Sequence, residues 1–175
     1  MKKALVLLVV LALSGCGSNP PNGAIGATNP LPQKSMAPDF ELERVAGGTL
    51  KSSDLKGKVT VVDFWATWCE PCIEEIPKYN ELHEAYADKG AEVLGITVES
   101  GPLKDIKPKV EDFQMKYPVV VGNDKVVEGF GGLIGFPTTF IVDKDWRVYK
   151  KYMGMTRNKR DMIEKDLQKL IAEGP

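Results

Sequence analysis

The sequence predicts an α/β fold, a mixed central β-sheet flanked by helices and preceded by a β-hairpin. Three observations carry this reading. Val59–Trp65 and Ala91–Val98 read as buried strands, each followed by a segment of helical character, which is the alternation of a mixed sheet with helices on both faces. Thr138–Val142 passes through Asp143-Lys144-Asp145 into Arg147–Tyr152, a spacing that returns the chain antiparallel. Gly47-Gly48 turns two short extended segments back on each other near the start.

Taken in order, the chain opens with Lys2-Lys3 and ten apolar residues from Ala4 to Leu13. That is a charged n-region and an h-region too short to span a bilayer. Residues 1–15 are therefore read as a signal peptide, and Leu13-Ser14-Gly15-Cys16 resembles a bacterial lipobox, with Cys16 as the lipidated first residue of the mature chain. Losing Lys2 and Lys3 takes the formal charge from −1 to −3. Residues 16–36 are rich in Gly, Pro, Ala, Ser and Asn and lack the apolar surface needed to order themselves, so they are read as a tether with a reach of about 25 Å.

The globular domain is placed at 37–175. Phe40 and Leu42 lie on one side of an extended segment, Thr49-Leu50 returns, and Ser53–Gly57 forms a helical turn closed by glycine. After the strand at Val59–Trp65, a helix is expected from about Pro71 to Asp88, stopped at Lys89-Gly90 and bent at Pro77. Leu103–Tyr117 has helical character, Pro118–Val121 is a short strand, Asn123-Asp124 a turn, and Val126–Phe130 a single helical turn. A last helix from about Arg157 to Glu173 carries Ile163, Leu167, Leu170 and Ile171 on one face.

The chemistry is concentrated in Trp68-Cys69-Glu70-Pro71-Cys72, where strand becomes helix. A Cys-x-x-Cys in a first helical turn brings two sulfurs within bonding distance. The helix N-terminus stabilises a thiolate at Cys69, and Cys72, one turn further in, is better shielded and placed to resolve a mixed disulfide. Zinc and haem fit poorly: the chain has three Cys and one His, a structural zinc site wants four ligands, and Ile73 stands where c-type haem attachment needs histidine. The pair is read as a reversible dithiol/disulfide, with no metal and no other cofactor. Mixed-sign charge at 27% of residues and the absence of a basic run exclude a nucleic-acid partner. The domain is read as a monomer.

Asp63-Phe64-Trp65-Ala66-Thr67-Trp68-Cys69-Glu70-Pro71-Cys72 resembles the active-site segment of the thioredoxin superfamily. Pro77 falls where those proteins kink the active-site helix, and Gly135-Phe136-Pro137-Thr138-Thr139-Phe140 resembles their cis-proline segment. Ala37-Pro38-Asp39-Phe40, the Glu-Pro pair between the cysteines, and a central insertion from about Pro102 to Gly132 are similar to the extracytoplasmic, membrane-tethered ResA/TlpA group. The resemblance implies a thioredoxin-like fold and a thiol–disulfide oxidoreductase that usually acts as a reductant. It also implies exported disulfide-containing substrates such as apocytochrome c, a membrane electron donor of the CcdA/DsbD kind, and a lipid-anchored location facing the periplasm or cell exterior.

Glu75 lies three residues past Cys72 on the same helix face and matches a glutamate of ResA-type proteins; it would disfavour thiolate at Cys72 and could relay its proton. Asp63, in an apolar strand, should be buried with a raised pKa. Thioredoxin has an aspartate there that accepts the proton of the resolving cysteine, whereas ResA has an amide. Both acids stand as candidate bases. Glu70 opposes the helix dipole and should keep the dithiol reducing. Pro137, if cis, leaves the Phe136 backbone free to pair with an extended substrate, and Trp68 caps one side of the pair. Trp68, Glu70, Pro71, Phe136 and Pro137 make up the expected substrate contacts. Trp65, His83 and the methionines at 153, 155 and 162 are read as structural, His83 on the surface and the methionines in packing.

Three other activities use the same scaffold. A disulfide oxidase or isomerase would need a more stabilised thiolate, against which Glu70-Pro71 argues. A copper chaperone usually has a longer cysteine spacing and a late-loop histidine, which the residues around Phe136 do not offer. A peroxidase would need Thr-x-x-Cys, and Thr67-Trp68-Cys69 is one residue short.

Overall fold

The computed structural model describes residues 35–173; the leader, Cys16 and the tether as far as residue 34 lie outside the described residues. The elements run β1 (Glu41–Glu43), β2 (Thr49–Lys51), β3 (Val59–Trp65), α1 (Glu70–Tyr86), β4 (Ala91–Thr97), α2 (Leu103–Asp112), β5 (Val119–Val121), α3 (Asp124–Gly129), β6 (Thr138–Val142), β7 (Val148–Met153) and α4 (Lys159–Ala172). Strands β3 to β7 form one mixed sheet in the order β5-β4-β3-β6-β7, and β1-β2 form a separate antiparallel hairpin. β3 pairs in parallel with β4 and antiparallel with β6. It is therefore central, and all seven of its residues are buried, which is why its sequence is continuously apolar rather than alternating.

Alternation along β3 divides the core into two layers. Val59, Val61 and Trp65 face a layer built by Tyr79 and Leu82 of α1, Ile106 of α2, and Ile163, Leu167 and Leu170 of α4. Val62 and Phe64 face the opposite layer, filled by Leu42 and Leu50 of the hairpin, Val126 of α3, Phe130 and Trp146. There Phe64 meets Phe130 and Phe140 edge-on, with ring centroids 5.3 and 5.8 Å apart. Asp63 sits between Val61 and Trp65 on β3, so the period of two aims it into the first layer, under α1 and α4.

The helix α1 is continuous through Pro77 and is followed by a 3₁₀ turn, Ala87–Lys89, that Gly90 ends at φ +89°. That left-handed conformation suits glycine and redirects the chain into β4. Several boundaries differ from the sequence reading. Residues Ser35 and Met36, assigned to the tether, already reach β7's edge: Val148 N–H donates to the Ser35 carbonyl at 2.9 Å, and Met36 bridges to Arg147. α2 stops at Asp112, because Gln114 turns the backbone with φ +53°. α3 starts earlier than Val126, because Asn123 caps it by accepting the Val126 N–H at 3.0 Å.

Two side-chain readings are corrected. His83 is half-buried rather than a surface residue, with Nδ1 3.1 Å from Glu92 Oε1. Met153, Met155 and Met162 do not fill the core. They are exposed, because β7 is an edge strand whose Met153 points outward, the loop after it carries Met155 away from both layers, and Met162 lies on the outer side of α4.

Candidate active site

The site forms where β3 ends and α1 begins. The Cys69 N–H donates to the Ala66 carbonyl at 3.0 Å and closes a tight turn. Cys69 is the N-cap of α1, in extended conformation, and its sulfur accepts the Cys72 N–H at 3.3 Å. Pro71 follows in the first turn, where its missing N–H has no intrahelical partner to lose. Cys69 and Cys72 are joined in a disulfide, with Cα atoms 5.3 Å apart. Cys69 is 5% exposed and Cys72 1%. Cys69 lines the adjoining cleft and Cys72 does not. The Cys72 N–H and the position at the helix N-terminus favour a thiolate on Cys69 once the bridge opens.

The cleft has a volume of about 610 Å³. Trp68, Glu70 and Pro71 form one wall with Cys69, Leu133 to Phe136 form the other, and Glu99 closes an end. Trp68 is 61% exposed yet held in place: its Nε1 donates to the Glu99 carbonyl at 2.8 Å, and its ring meets Phe136 edge-on at 5.7 Å. The loop beneath is braced by one hydroxyl. Ser100 Oγ accepts the Thr67 N–H at 3.0 Å and the Thr97 hydroxyl at 2.7 Å, and donates to the Val98 carbonyl at 3.0 Å. The Phe136–Pro137 peptide is cis, and Pro137 opens β6 beside the disulfide. Ile134, 85% exposed, offers apolar surface at the cleft rim.

Behind the disulfide lies a buried polar cluster in the α1/α4 layer. Cys72, Glu75 and Tyr79 are buried along the inner face of α1, at the three- and four-residue steps that align side chains. Asp63 comes from β3, and its register partner on β6 is Thr139. Thr139 Oγ1 donates to Asp63 Oδ1 at 2.8 Å, and the Thr139 and Tyr79 hydroxyls are 2.9 Å apart. Tyr79 Oη lies 3.4 Å from Glu75 Oε2. Glu75 Oε2 also accepts from Lys159 Nζ at 2.7 Å, an ion pair in which both side chains are almost wholly buried. Burial pushes the Asp63 carboxyl up to about 7, a rise that Lys159 and Thr139 oppose and Glu75 assists. Burial, together with the two carboxylates, raises the Tyr79 phenol well above its usual value.

The structure thus brings Asp63, Cys72 and Glu75 into one layer, and Trp68, Cys69, Glu70, Pro71 and Phe136 around one cleft, with Pro137 buried next to Phe136. Sequence reasoning missed Lys159, Glu99 and Ser100. The one signal for Lys159 is that it falls four residues before Ile163, on the helix stripe that continues to Leu167. Ser and Glu in a loop carry no such mark.

The Asp63 shift has a defined consequence for stability. The folded protein holds the Asp63 proton up to about pH 7, whereas the unfolded chain releases it near 3.8. Between these values the folded state binds the extra proton, so stability falls as pH rises through that window. Asp63→Asn removes this loss. Urea unfolding is expected to show the variant more stable than wild type by ~2–4 kcal/mol at pH 8 and nearly equal to it at pH 4. An equal difference at both pH values would contradict the assignment.

Comparison with known proteins accords with this geometry. Residues 34–151 match the AhpC/TSA family. The thiol-disulfide oxidoreductase ResA of Bacillus anthracis is 30% identical over 174 residues, covering 97% of this chain and 99% of the relative. Among solved structures, a putative thiol:disulfide interchange protein DsbE from Chlorobium tepidum superposes with a TM-score of 0.74 at 26% identity, covering 81% of this chain and 99% of that one. The pneumococcal exposed lipoprotein thioredoxin of Streptococcus pneumoniae gives 0.68 at 30% identity, covering 76% and 100%. The strand–helix disulfide and the cleft beside it accordingly belong to a thiol–disulfide oxidoreductase of thioredoxin-like fold, and the chain is a member of the AhpC/TSA family.

Proposed function

We propose that the protein is a membrane-tethered reductase of disulfides in exported proteins, with the disulfide form of apocytochrome c as one candidate substrate and a CcdA/DsbD-type membrane protein as electron donor. The observation that carries this reading is the asymmetry of the pair: Cys69 opens on the cleft, while Cys72 is buried in the layer that also holds Asp63 and Glu75. In the reduced protein, Cys69 thiolate attacks a substrate sulfur, forming a mixed disulfide and releasing the other substrate sulfur as a thiolate that takes up a proton. Cys72 then loses its proton to a carboxylate beneath it and attacks the Cys69 sulfur. The Cys69–Cys72 bridge forms, and the second substrate thiol leaves. Two electrons pass from the dithiol to the substrate, and the membrane donor restores them.

The cleft suits an extended peptide. Trp68 and Phe136 offer aromatic faces on either side of Cys69, and the Phe136 backbone is free to pair with a strand where Pro137 has no N–H of its own. The reducing direction rests on charge. Glu70 stands in the first turn of α1, where its carboxylate counters the dipole that would otherwise hold Cys69 strongly as thiolate, and the acids under Cys72 disfavour a second anion.

The anchor is part of the same reading. Among the described residues no helix is long and apolar enough to cross a membrane, and lipidation at Cys16 would supply the attachment. A related structure is described as an exposed lipoprotein thioredoxin. In detergent phase separation, the native protein is expected in the detergent phase and Cys16→Ala in the aqueous phase; a variant that partitions like wild type would remove the anchor from the account.

The exchange is tested by reduction of insulin disulfides, followed as turbidity with a thiol donor. Cys69→Ser is expected to lose the activity, and Cys72→Ser to accumulate a covalent mixed disulfide with the substrate, visible on a non-reducing gel. Activity that survives in Cys69→Ser would overturn the mechanism.

A further inference from the structure

The cluster behind the disulfide holds two carboxylates and a single buried ammonium, and the way they are wired is unequal. Thr139 and Tyr79 form a chain of hydroxyls from Asp63 to Glu75: Asp63 Oδ1 to Thr139 Oγ1 at 2.8 Å, Thr139 to Tyr79 Oη at 2.9 Å, and Tyr79 to Glu75 Oε2 at 3.4 Å. Each hydroxyl can donate toward either end, so the chain lets one proton be held at the Asp63 end or the Glu75 end. Lys159 breaks that symmetry. Its Nζ is 2.7 Å from Glu75 Oε2 and 5.9 Å from the centre of the Tyr79 ring, and it comes from the first residue of α4, an element that contributes no cleft residue.

We propose that Lys159 is the positioning residue that assigns the two carboxylates their roles, holding Glu75 as its fixed counter-ion and leaving Asp63 as the group that takes and returns the Cys72 proton. The assignment rests on the exchange reaction proposed above. The charge count supports it. An ammonium and a carboxylate in direct contact compensate each other in an apolar layer, whereas a second buried anion has no cation of its own and is discharged by a proton instead. The raised Asp63 carboxyl agrees with that outcome. The titratable groups facing Asp63 are Glu75 and Tyr79 from α1, Tyr117 from the segment before β5, and Lys159 from α4; β6 contributes only the Thr139 hydroxyl. With Glu75 fixed, the cluster carries one exchangeable proton, and it lies at the end of the chain on the central strand.

The reaction step is simple in its balance. Cys72 S–H gives its proton to the Asp63 carboxylate, the Cys72 sulfur attacks Cys69 and expels the substrate thiolate, and the proton on Asp63 is available to that thiolate. When the bridge is later reduced, Asp63 returns a proton to Cys72.

The test is stopped-flow reaction of the reduced full-length protein, in detergent, with a stoichiometric chromogenic aryl disulfide, 5,5′-dithiobis(2-nitrobenzoate). The first release of aryl thiolate reports attack by Cys69, and the second reports attack by Cys72. In wild type the second phase is expected to follow one ionisation near pH 7, which Asp63→Asn abolishes. Lys159→Met should move that ionisation up by about one pH unit, and Glu75→Gln should move it down, since the freed ammonium then favours Asp63 carboxylate. Lys159→Arg should restore the wild-type profile. The double variant Lys159→Met/Glu75→Gln, which removes both charges together and leaves neither unpaired, should fall between the two singles; if Lys159→Met does not fold, a double-variant ionisation above that of Glu75→Gln supports the role and one at or below it overturns it. Shifts in the same direction for Lys159→Met and Glu75→Gln, a double variant outside the interval they span, or an ionisation that persists in Asp63→Asn would overturn the role of Lys159. Loss of the first phase in wild type, or its survival in Cys69→Ser/Cys16→Ala, would instead overturn the exchange reaction and is read separately from the second phase.

Discussion

The arrangement depends on an electrostatic constraint: two carboxylates and one ammonium are enclosed in an apolar layer directly behind the disulfide. An isolated charge in such a place is strongly disfavoured, so each must be paired, hydrogen-bonded or discharged. Glu75 is paired with Lys159, and Asp63 is hydrogen-bonded to Thr139 and raised toward neutrality. Replacing a buried ion pair by hydrophobic residues of the same volume is often neutral or stabilising, so the pair is weak evidence of a gain in stability. On the proposed mechanism the polar cluster is a cost in stability that the reaction requires, because a buried Cys72 then needs a proton acceptor within the protein.

The rest of the fold supplies the walls. The sheet fixes Asp63 opposite Thr139 by register, α1 carries Cys72, Glu75 and Tyr79 on one face, and α4 delivers Lys159 to the same layer. Among the described residues no loop contributes to that inner cluster apart from Tyr117, so its geometry is set by regular elements. The outer side is built differently. The cleft walls are loops, held by Trp68 against Glu99 and Phe136 and by the Ser100 hydroxyl under Thr67. A buried polar cluster set by regular elements and a loop-built cleft meet at the cysteine pair.

Much of this is legible in the sequence because it follows from local rules. A seven-residue apolar run with an acid in it reads as a central strand with a buried carboxyl, and Cys-x-Pro-Cys at its end opens a helix. The alternation of runs and turns yields the element order, and the resemblance to thioredoxins carries the cis peptide before Pro137. What escapes is set by tertiary contact. Lys159 stands in a run of charged residues at a helix start, and its place four residues before Ile163 is the one local mark that it points inward while Arg157 points out. Met153 and Met155 have the apolar character of packing residues, yet the strand that leads to them is an edge. A mid-helix histidine such as His83 carries no signal for the Glu92 carboxylate that β4 brings beside it.

The central claim is that acids around the pair, Glu70 outside and the Asp63–Glu75 cluster inside, disfavour the dithiolate and make the protein a reductant. The most direct measurement is the reduction potential of Cys69/Cys72, equilibrated against glutathione or dithiothreitol buffers at neutral pH. The account predicts a value near or below roughly −220 mV, in the range of reducing thioredoxin-like proteins. A value near about −120 mV, that of a strong oxidant such as DsbA, would contradict it and would mean that the Cys69 thiolate is stabilised despite the surrounding carboxylates.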